Sequence, residues 1–154
     1  MASRQLVVFE IAQQEFGIDI NAINGILRAK KFTIQKVPGV PATVEGVINL
    51  RGKICYIFNL NTRFGLPPET FNEERKIIMV YANNLTIGCL VNEVTDIVKM
   101  DENDIEPTPA FIAGIDAKYI TGIGKIDDRM ITILDPDEVL TTDTVERLNE
   151  NSIA

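Results

Sequence analysis

Two stretches of this chain repeat one pattern at a fixed distance, and that repetition limits the possible fold more than any other feature. The first is GVINLRGKICYIFNL, Gly46 to Leu60. Its β-prone runs, Val44 to Leu50 and Ile54 to Leu60, flank Arg51-Gly52-Lys53. A Gly at the junction permits positive φ, so the pair reads as a hairpin with a short turn. The second stretch, Gly122 to Pro136, aligns with the first without a gap at a shift of 76 residues. Gly46 then matches Gly122, Val47 matches Ile123, Leu50 matches Ile126, Ile54 matches Met130 and Ile57 matches Ile133. Only the turn differs, with Asp127-Asp128 standing where Arg51-Gly52 stands. A quieter echo runs at a shift of 71 residues, pairing Phe16-Gly17-Ile18-Asp19-Ile20 with Ile87-Gly88-Cys89-Leu90-Val91. It extends to Ile23 and Ile26, opposite Val94 and Ile97. Two echoes in the same order predict two similar β-modules.

The remaining pattern fits that scheme. Gln5 to Ile11 and Glu15 to Ile18 read as an early hairpin about Ala12-Gln13-Gln14. Asp19 is placed to N-cap a short helix carrying Ile20, Ile23 and Ile26-Leu27 on one face. Phe32 to Val37 reads as a strand closed by the stiff loop Pro38-Gly39-Val40-Pro41. Asn61 to Gly65 reads as one helical turn and Leu66 to Glu74 as a linker. The second half restarts with Lys76 to Tyr81, an Asn83-Asn84 turn and Leu85 to Val91. Val94 to Met100 leads into the acidic loop Asp101 to Pro109, and Tyr119 to Leu134 forms the late hairpin. Asp135-Pro136-Asp137-Glu138 carries the marks of a helix start. The expectation is a mainly β chain of about ten short strands with small helices, arranged as two compact barrels. One barrel spans roughly 12–70 and the other roughly 75–140, with the strand over 5–11 free to join the second and a helical segment over 136–150.

Composition narrows the chemistry. At 154 residues the chain fits a single domain able to bury a substantial core. A net charge of −7 opposes nucleic-acid binding, which requires a basic face. Arg28-Ala29-Lys30-Lys31 is the one basic cluster and reads as a solvated face. The longest apolar runs are strand-sized, too short to cross a bilayer as helices, and the polar start shows no targeting segment. With no histidine, the chain lacks the usual general base and the commonest metal ligand. Cys55 and Cys89 sit in apolar strand patterns and read as free buried thiols, which points to the cytosol. The carboxylates Asp101, Glu102, Asp104 and Glu106 lack the turn Gly of a calcium loop and break at Pro107. An alternative reading, a small-ligand-binding or hydrolytic β-barrel, would have to use that loop. Gly122-Ile123-Gly124 lacks the third Gly of a dinucleotide motif, and nothing assembles a nucleophile with its base. No enzyme activity, metal or cofactor is predicted.

The block Val44 to Ile54, with Asn49-Leu50-Arg51-Gly52 inside it, resembles the signature of the CheW family of bacterial chemotaxis coupling proteins. Phe9, Phe16 to Ile20, Ile87-Gly88 with Val91, and Tyr119 to Gly122 through Arg129-Met130 to Leu140 match in order and spacing. The resemblance implies two SH3-like five-stranded β-barrel subdomains around a shared core. It implies a non-enzymatic adaptor that links the cytoplasmic tips of methyl-accepting chemotaxis receptors to the histidine kinase CheA. Contact with the kinase would be made through its C-terminal regulatory domain, which is itself CheW-like. The protein would be cytoplasmic and recruited to membrane receptor clusters without inserting. Carried over by position, receptor binding falls to Ile20, Ile23, Ile87 and Gly88 in the groove between barrels, and kinase binding to Gly46 and Arg51. Periodicity alone favours Ile20 and Ile23 as core residues, and the Arg51 guanidinium could instead order its own turn by bonding backbone carbonyls or a nearby carboxylate. Tyr56 stands where the family often has Pro, Asn59 and Asn92 where Asp is common, and Gly25 where Glu is frequent, the last in the receptor-contact region.

Overall fold

Period-2 alternation of apolar residues yields thirteen strands among the described residues of the computed structural model. Those residues are 3–68, 74–82, 84–107, 111–112 and 115–140, with the side chains of 111–117 outside the description. The first hairpin is β1 (Ser3–Ile11) and β2 (Gln14–Asp19), turning at Ala12 and Gln13 with φ of 50° and 65°. A 3-10 turn, Ile20–Ala22, leads to β3 (Ile23–Arg28) and a second 3-10 turn, Ala29–Lys31. The hairpin β4 (Val44–Leu50) and β5 (Lys53–Asn59) runs into helix α1 (Leu60–Phe64). The second half begins with β6 (Lys76–Ala82) and β7 (Leu85–Val91), followed by β8 (Glu93–Asp101). After a 3-10 turn at Glu102–Asp104 come β9 (Ile105–Glu106), β10 (Phe111–Ile112) and β11 (Ile115–Asp116). The late hairpin is β12 (Ile120–Ile126) and β13 (Arg129–Leu134), ending in α2 (Pro136–Val139).

Two larger sheets result, one ordered β8-β1-β2-β13-β12-β9 (sheet I) and one ordered β3-β6-β7-β5-β4 (sheet II). The edges of sheet I, β8 and β9, are consecutive in the chain and separated by a single 3-10 turn, so the sheet curls closed as a five-stranded barrel with one bent strand. Sheet II closes in the same way: β3 passes its 3-10 turn, and Gln35 bridges to Val47 of β4. The same correspondences hold throughout. Bulges fall at Val44/Gly46 and Ile120/Gly122, and the parallel contacts pair Ile57 with Gly88 and Ile133 with Gly17.

The contiguous division into 12–70 and 75–140 is corrected by the strand pairing. The early hairpins are exchanged: β1 and β2 pair with β8 and β13, while β6 and β7 pair with β3 and β5. The helix expected over Asp19 to Leu27 is corrected too. Asp19 does cap, accepting from the Asn21 backbone N–H at 2.9 Å, but the helical part ends at Ala22 and the β-branched residues beyond it pair with β6. The expected strand over Phe32 to Val37 is reduced to the Gln35 bridge. Of the helical segment over 136–150, Pro136–Val139 is helical with Asp135 as its cap, and 141–150 lie outside the described residues. The Asn83-Asn84 turn is described only at Asn84, with φ of 66°.

Apolar side chains sort into three clusters. One fills the interior of sheet I with Leu6, Val8, Val98, Met100, Ile131 and Ile133. A second fills sheet II with Ile48, Cys55, Ile57, Ile77, Met79 and Leu90. The largest joins the two sheets and includes Phe9, Phe16, Phe58, Phe64 and Tyr119. Phe9, Phe16 and Phe64 stack in sequence with centroid distances of 6.0 and 5.6 Å, and the Tyr119 ring meets Phe64 at a tilt, 5.7 Å away. Each fully buried Phe contributes about 1.5–3 kcal/mol, so this seam holds the two sheets in one relative position.

Candidate functional site

The turn between β4 and β5 is two residues long, Leu50 pairing with Lys53 across it. Arg51 and Gly52 both take positive φ, 52° and 85°, the arrangement whose twist matches a hairpin. Left-handed backbone at a non-glycine residue is costly, and a local hydrogen bond offsets it: Asn49 Oδ1 accepts from the Gly52 backbone N–H at 2.9 Å. Asn49 therefore orders the turn. The Arg51 side chain is exposed, and no hydrogen bond or ion pair to it is found among the described residues. The reading of Arg51 as the residue that orders its own turn is corrected.

Gly46 lies behind this turn and is buried. A Cβ there would overlap the Gln35 carbonyl oxygen and lie 2.9 Å from its carbonyl carbon. Its twin, Gly122, faces the same constraint, 2.8 Å from the Glu106 carbonyl oxygen. Gly46 thus lets the closing strand approach β4 and offers no surface of its own. An open groove of about 490 Å³ runs along the outside of the hairpin, lined by Phe32, Gln35, Val47, Asn49 and Ile54. Ile54 is 64% exposed. The sequence reading passed over Ile54 and Lys53, although the alternation of β5 places one of them on each face.

Of the four proposed receptor-binding residues, two reach the surface. Ile20, in the 3-10 turn after β2, and Ile23, at the start of β3, are half-buried. Ile20 edges a polar hollow of about 570 Å³ that also contains Arg4, Asp19, Asn21, Lys99 and Glu102, with Arg4 Nε 3.3 Å from Asp19 Oδ2. Ile23 pairs with Val80, which pairs with Ile87, so these three line up across β3, β6 and β7. Ile87 itself is 1% exposed and belongs to the core joining the sheets. Gly88 is enclosed, with space for a Cβ blocked by Ile57 Cδ1 at 2.5 Å and Ile77 Cγ2 at 2.8 Å. Ile87 and Gly88 are thus enclosed in the fold rather than on its surface, on opposite faces of β7.

Two carboxylates of the acidic loop have partners within the fold. Asp101 caps the 3-10 turn by accepting from the Asn103 N–H at 3.0 Å, and Glu106 accepts from Lys125 Nζ at 2.8 Å. Among the described residues no group of three His, Cys, Asp or Glu side chains is gathered as metal ligands. Both cysteines are free and buried. Burial pushes the Cys89 thiol up to about 12 and raises Cys55 as well, the nearby Lys53 ammonium opposing the latter. The most concentrated charge lies on sheet I, where Arg129 meets Asp96 and Glu15. Sequence spacing gave no hint of that cluster, because its three members come from three strands.

Residues 5–144 match the family model of the CheW-like domain. The Chemotaxis protein CheW of Rhizobium meliloti is 32% identical over 143 residues, covering 93% of this chain and 91% of that protein. The protein of the same name in Helicobacter pylori is 34% identical over 140 residues, covering 90% and 82%. The crystal structure of the scaffolding protein TtCheW from Thermoanaerobacter tengcongensis superposes with a TM-score of 0.84 at 33% identity, covering 94% of this chain and 92% of that one.

Proposed function

This chain belongs to the CheW-like domain family, and from that we propose that it couples methyl-accepting chemotaxis receptors to the histidine kinase CheA. The family is one of chemotaxis scaffolds, and residues 5–144 of the chain match its domain. An adaptor of this kind works by burying two complementary patches at once. A reversible contact needs roughly 1,000–1,600 Å² with a few anchors. The single observation that carries the kinase half is Arg51: an always-charged guanidinium held out on a rigid turn that another residue, Asn49, maintains. The receptor half rests on Ile20, which brings apolar surface to the edge of the polar hollow, and on the half-buried Ile23 at the start of β3. Ile87 and Gly88 set the shape of the strands beneath them. In this role the protein works in the cytoplasm at receptor clusters, as a scaffold that performs no chemistry.

The test uses the purified chain, the regulatory domain of the kinase and a receptor cytoplasmic fragment. Arg51→Ala lowers affinity for the kinase fragment at least tenfold, about 1.4 kcal/mol, while the unfolding temperature is kept. Ile20→Glu lowers receptor binding and leaves kinase binding in place. A chain that binds neither fragment would refute the proposal.

A further inference from the structure

The two modules differ at one open end. In sheet I, Arg129 at the start of β13 spans the mouth of the barrel. Its Nε donates to Glu15 Oε2 on β2 at 3.0 Å, and Nη1 and Nη2 donate to the two carboxylate oxygens of Asp96 on β8, both at 3.0 Å. The internal repeat carries these three positions to Lys53, Thr86 and Gly25 in sheet II. The registers agree at each one. Arg129 pairs with Ile126 as Lys53 pairs with Leu50, Asp96 with Val8 as Gly25 with Met79, and Glu15 with Glu10 as Thr86 with Tyr81.

Sheet II has therefore kept the cation and lost both carboxylates. A Cβ on Gly25 would meet nothing within 4 Å, so the point from which Asp96 projects its side chain in sheet I is open here. Thr86 Oγ1 is occupied by Asn24 Nδ2 at 3.3 Å. Among the described residues no carboxylate lies within ion-pair distance of Lys53. The rim repeats the contrast: Tyr81, 55% exposed, stands where sheet I has Glu10, and Arg51-Gly52 stands where sheet I has Asp127-Asp128. The end of sheet II is thus cationic where its twin is anionic, on the same hairpin that carries Arg51.

Resting on the kinase-contact reading above, we infer that the open end of sheet II receives a carboxylate from the kinase's regulatory domain, which takes against Lys53 and Gly25 the place that Asp96 takes against Arg129. The substitution of Lys for Arg suits an exchangeable contact. A guanidinium forks two carboxylates into a fixed clasp, whereas an ammonium is a point charge on a flexible stem. Gly25 leaves room for an incoming side chain that any larger residue would occupy.

The test titrates the kinase regulatory-domain fragment against the full chain and the variants Lys53→Glu, Lys53→Arg, Gly25→Asp and Gly25→Asn, with thermal unfolding of each. Lys53→Glu weakens binding at least tenfold and Lys53→Arg retains it. Gly25→Asp gives Lys53 a carboxylate from its own chain, so it unfolds at a higher temperature than Gly25→Asn and binds the kinase fragment at least fivefold more weakly. A Gly25→Asp variant no more stable than Gly25→Asn overturns the placement of Lys53. If the folded Lys53→Glu and Gly25→Asp variants bind like the unaltered chain while Arg51→Ala does not, the inference fails and the kinase-contact reading stands. If the unaltered chain binds no kinase fragment, both fail.

Discussion

Replacing Gly46 with Ala separates a structural role from a contact role at the β4–β5 hairpin. The new methyl would overlap the Gln35 carbonyl oxygen and sit 2.9 Å from both the Gln35 carbonyl carbon and Ile34 Cγ2. Backbone cannot rotate away as a side-chain tip can. Gln35 is held by two backbone hydrogen bonds with Val47, its N–H donating at 2.9 Å and its carbonyl accepting at 2.8 Å. Relief of the overlap pulls that bridge apart, and the bridge closes sheet II. Two backbone hydrogen bonds contribute about 1 kcal/mol each, and overpacking a filled site costs about 1–3 kcal/mol. Because part of the strain is released when the bonds break, the expected loss is about 2–4 kcal/mol. For a chain of this size that lowers the unfolding temperature by roughly 4–16 °C. Urea unfolding followed by circular dichroism measures the loss, and kinase binding is assayed well below the new transition. A variant that loses less than about 1 kcal/mol yet no longer binds the kinase fragment would refute the reasoning and make Gly46 part of the contact surface.

The Arg129 cluster gives a pH signature. Its hydrogen bonds to Asp96 hold that carboxyl below its ordinary pKa, so the associated stability is fully present above the unfolded value of about 3.9 and disappears as pH falls through the lower folded value. Unfolding temperatures of the parent and of Arg129→Met should accordingly differ by a constant amount above roughly pH 5 and converge in more acid solution; a gap that stays constant down to pH 2 would argue against the assignment. The thiols provide a second check. Cys89 is buried, with its pKa pushed up to about 12, and Cys55 is only 7% exposed. Neither is expected to react with iodoacetamide at pH 8 until the chain is unfolded in denaturant, as mass spectrometry would read directly.

The repeat was legible in the sequence because strands report their faces locally. The 71- and 76-residue shifts align hairpins, bulges and the caps Asn59 and Asp135 alike. The exchange of hairpins was not legible for the same reason. Alternation says which side of β2 or β7 is buried, and two equivalent sheets offer it the same register. The misread helix after Asp19 has a specific cause. The bulge between Ile23 and Gly25 inserts one residue, so Ile23 and Ile26 share a face at a three-residue spacing, which imitates helical periodicity. At the candidate site, the turn around Arg51 could be read from Asn49 and Gly52, since their chemistry is local. The burial of Ile87 and the open space beside Gly25 depend on strands far away in the chain, and no local pattern encodes them.

The exchanged hairpins also bear on how this protein comes into being. Sheet I cannot close until β13, ending at Leu134, is available to β2, and sheet II waits for β7 to reach β5. Each half, as it leaves the ribosome, has its closing partners in the other half. Sheet II can form once Val91 is available, whereas sheet I waits for synthesis to reach Leu134, and pairing over such distances makes folding slow. Severing the chain between α1 and β6 would leave two pieces that each lack strands of both sheets, able to regain structure only by finding one another.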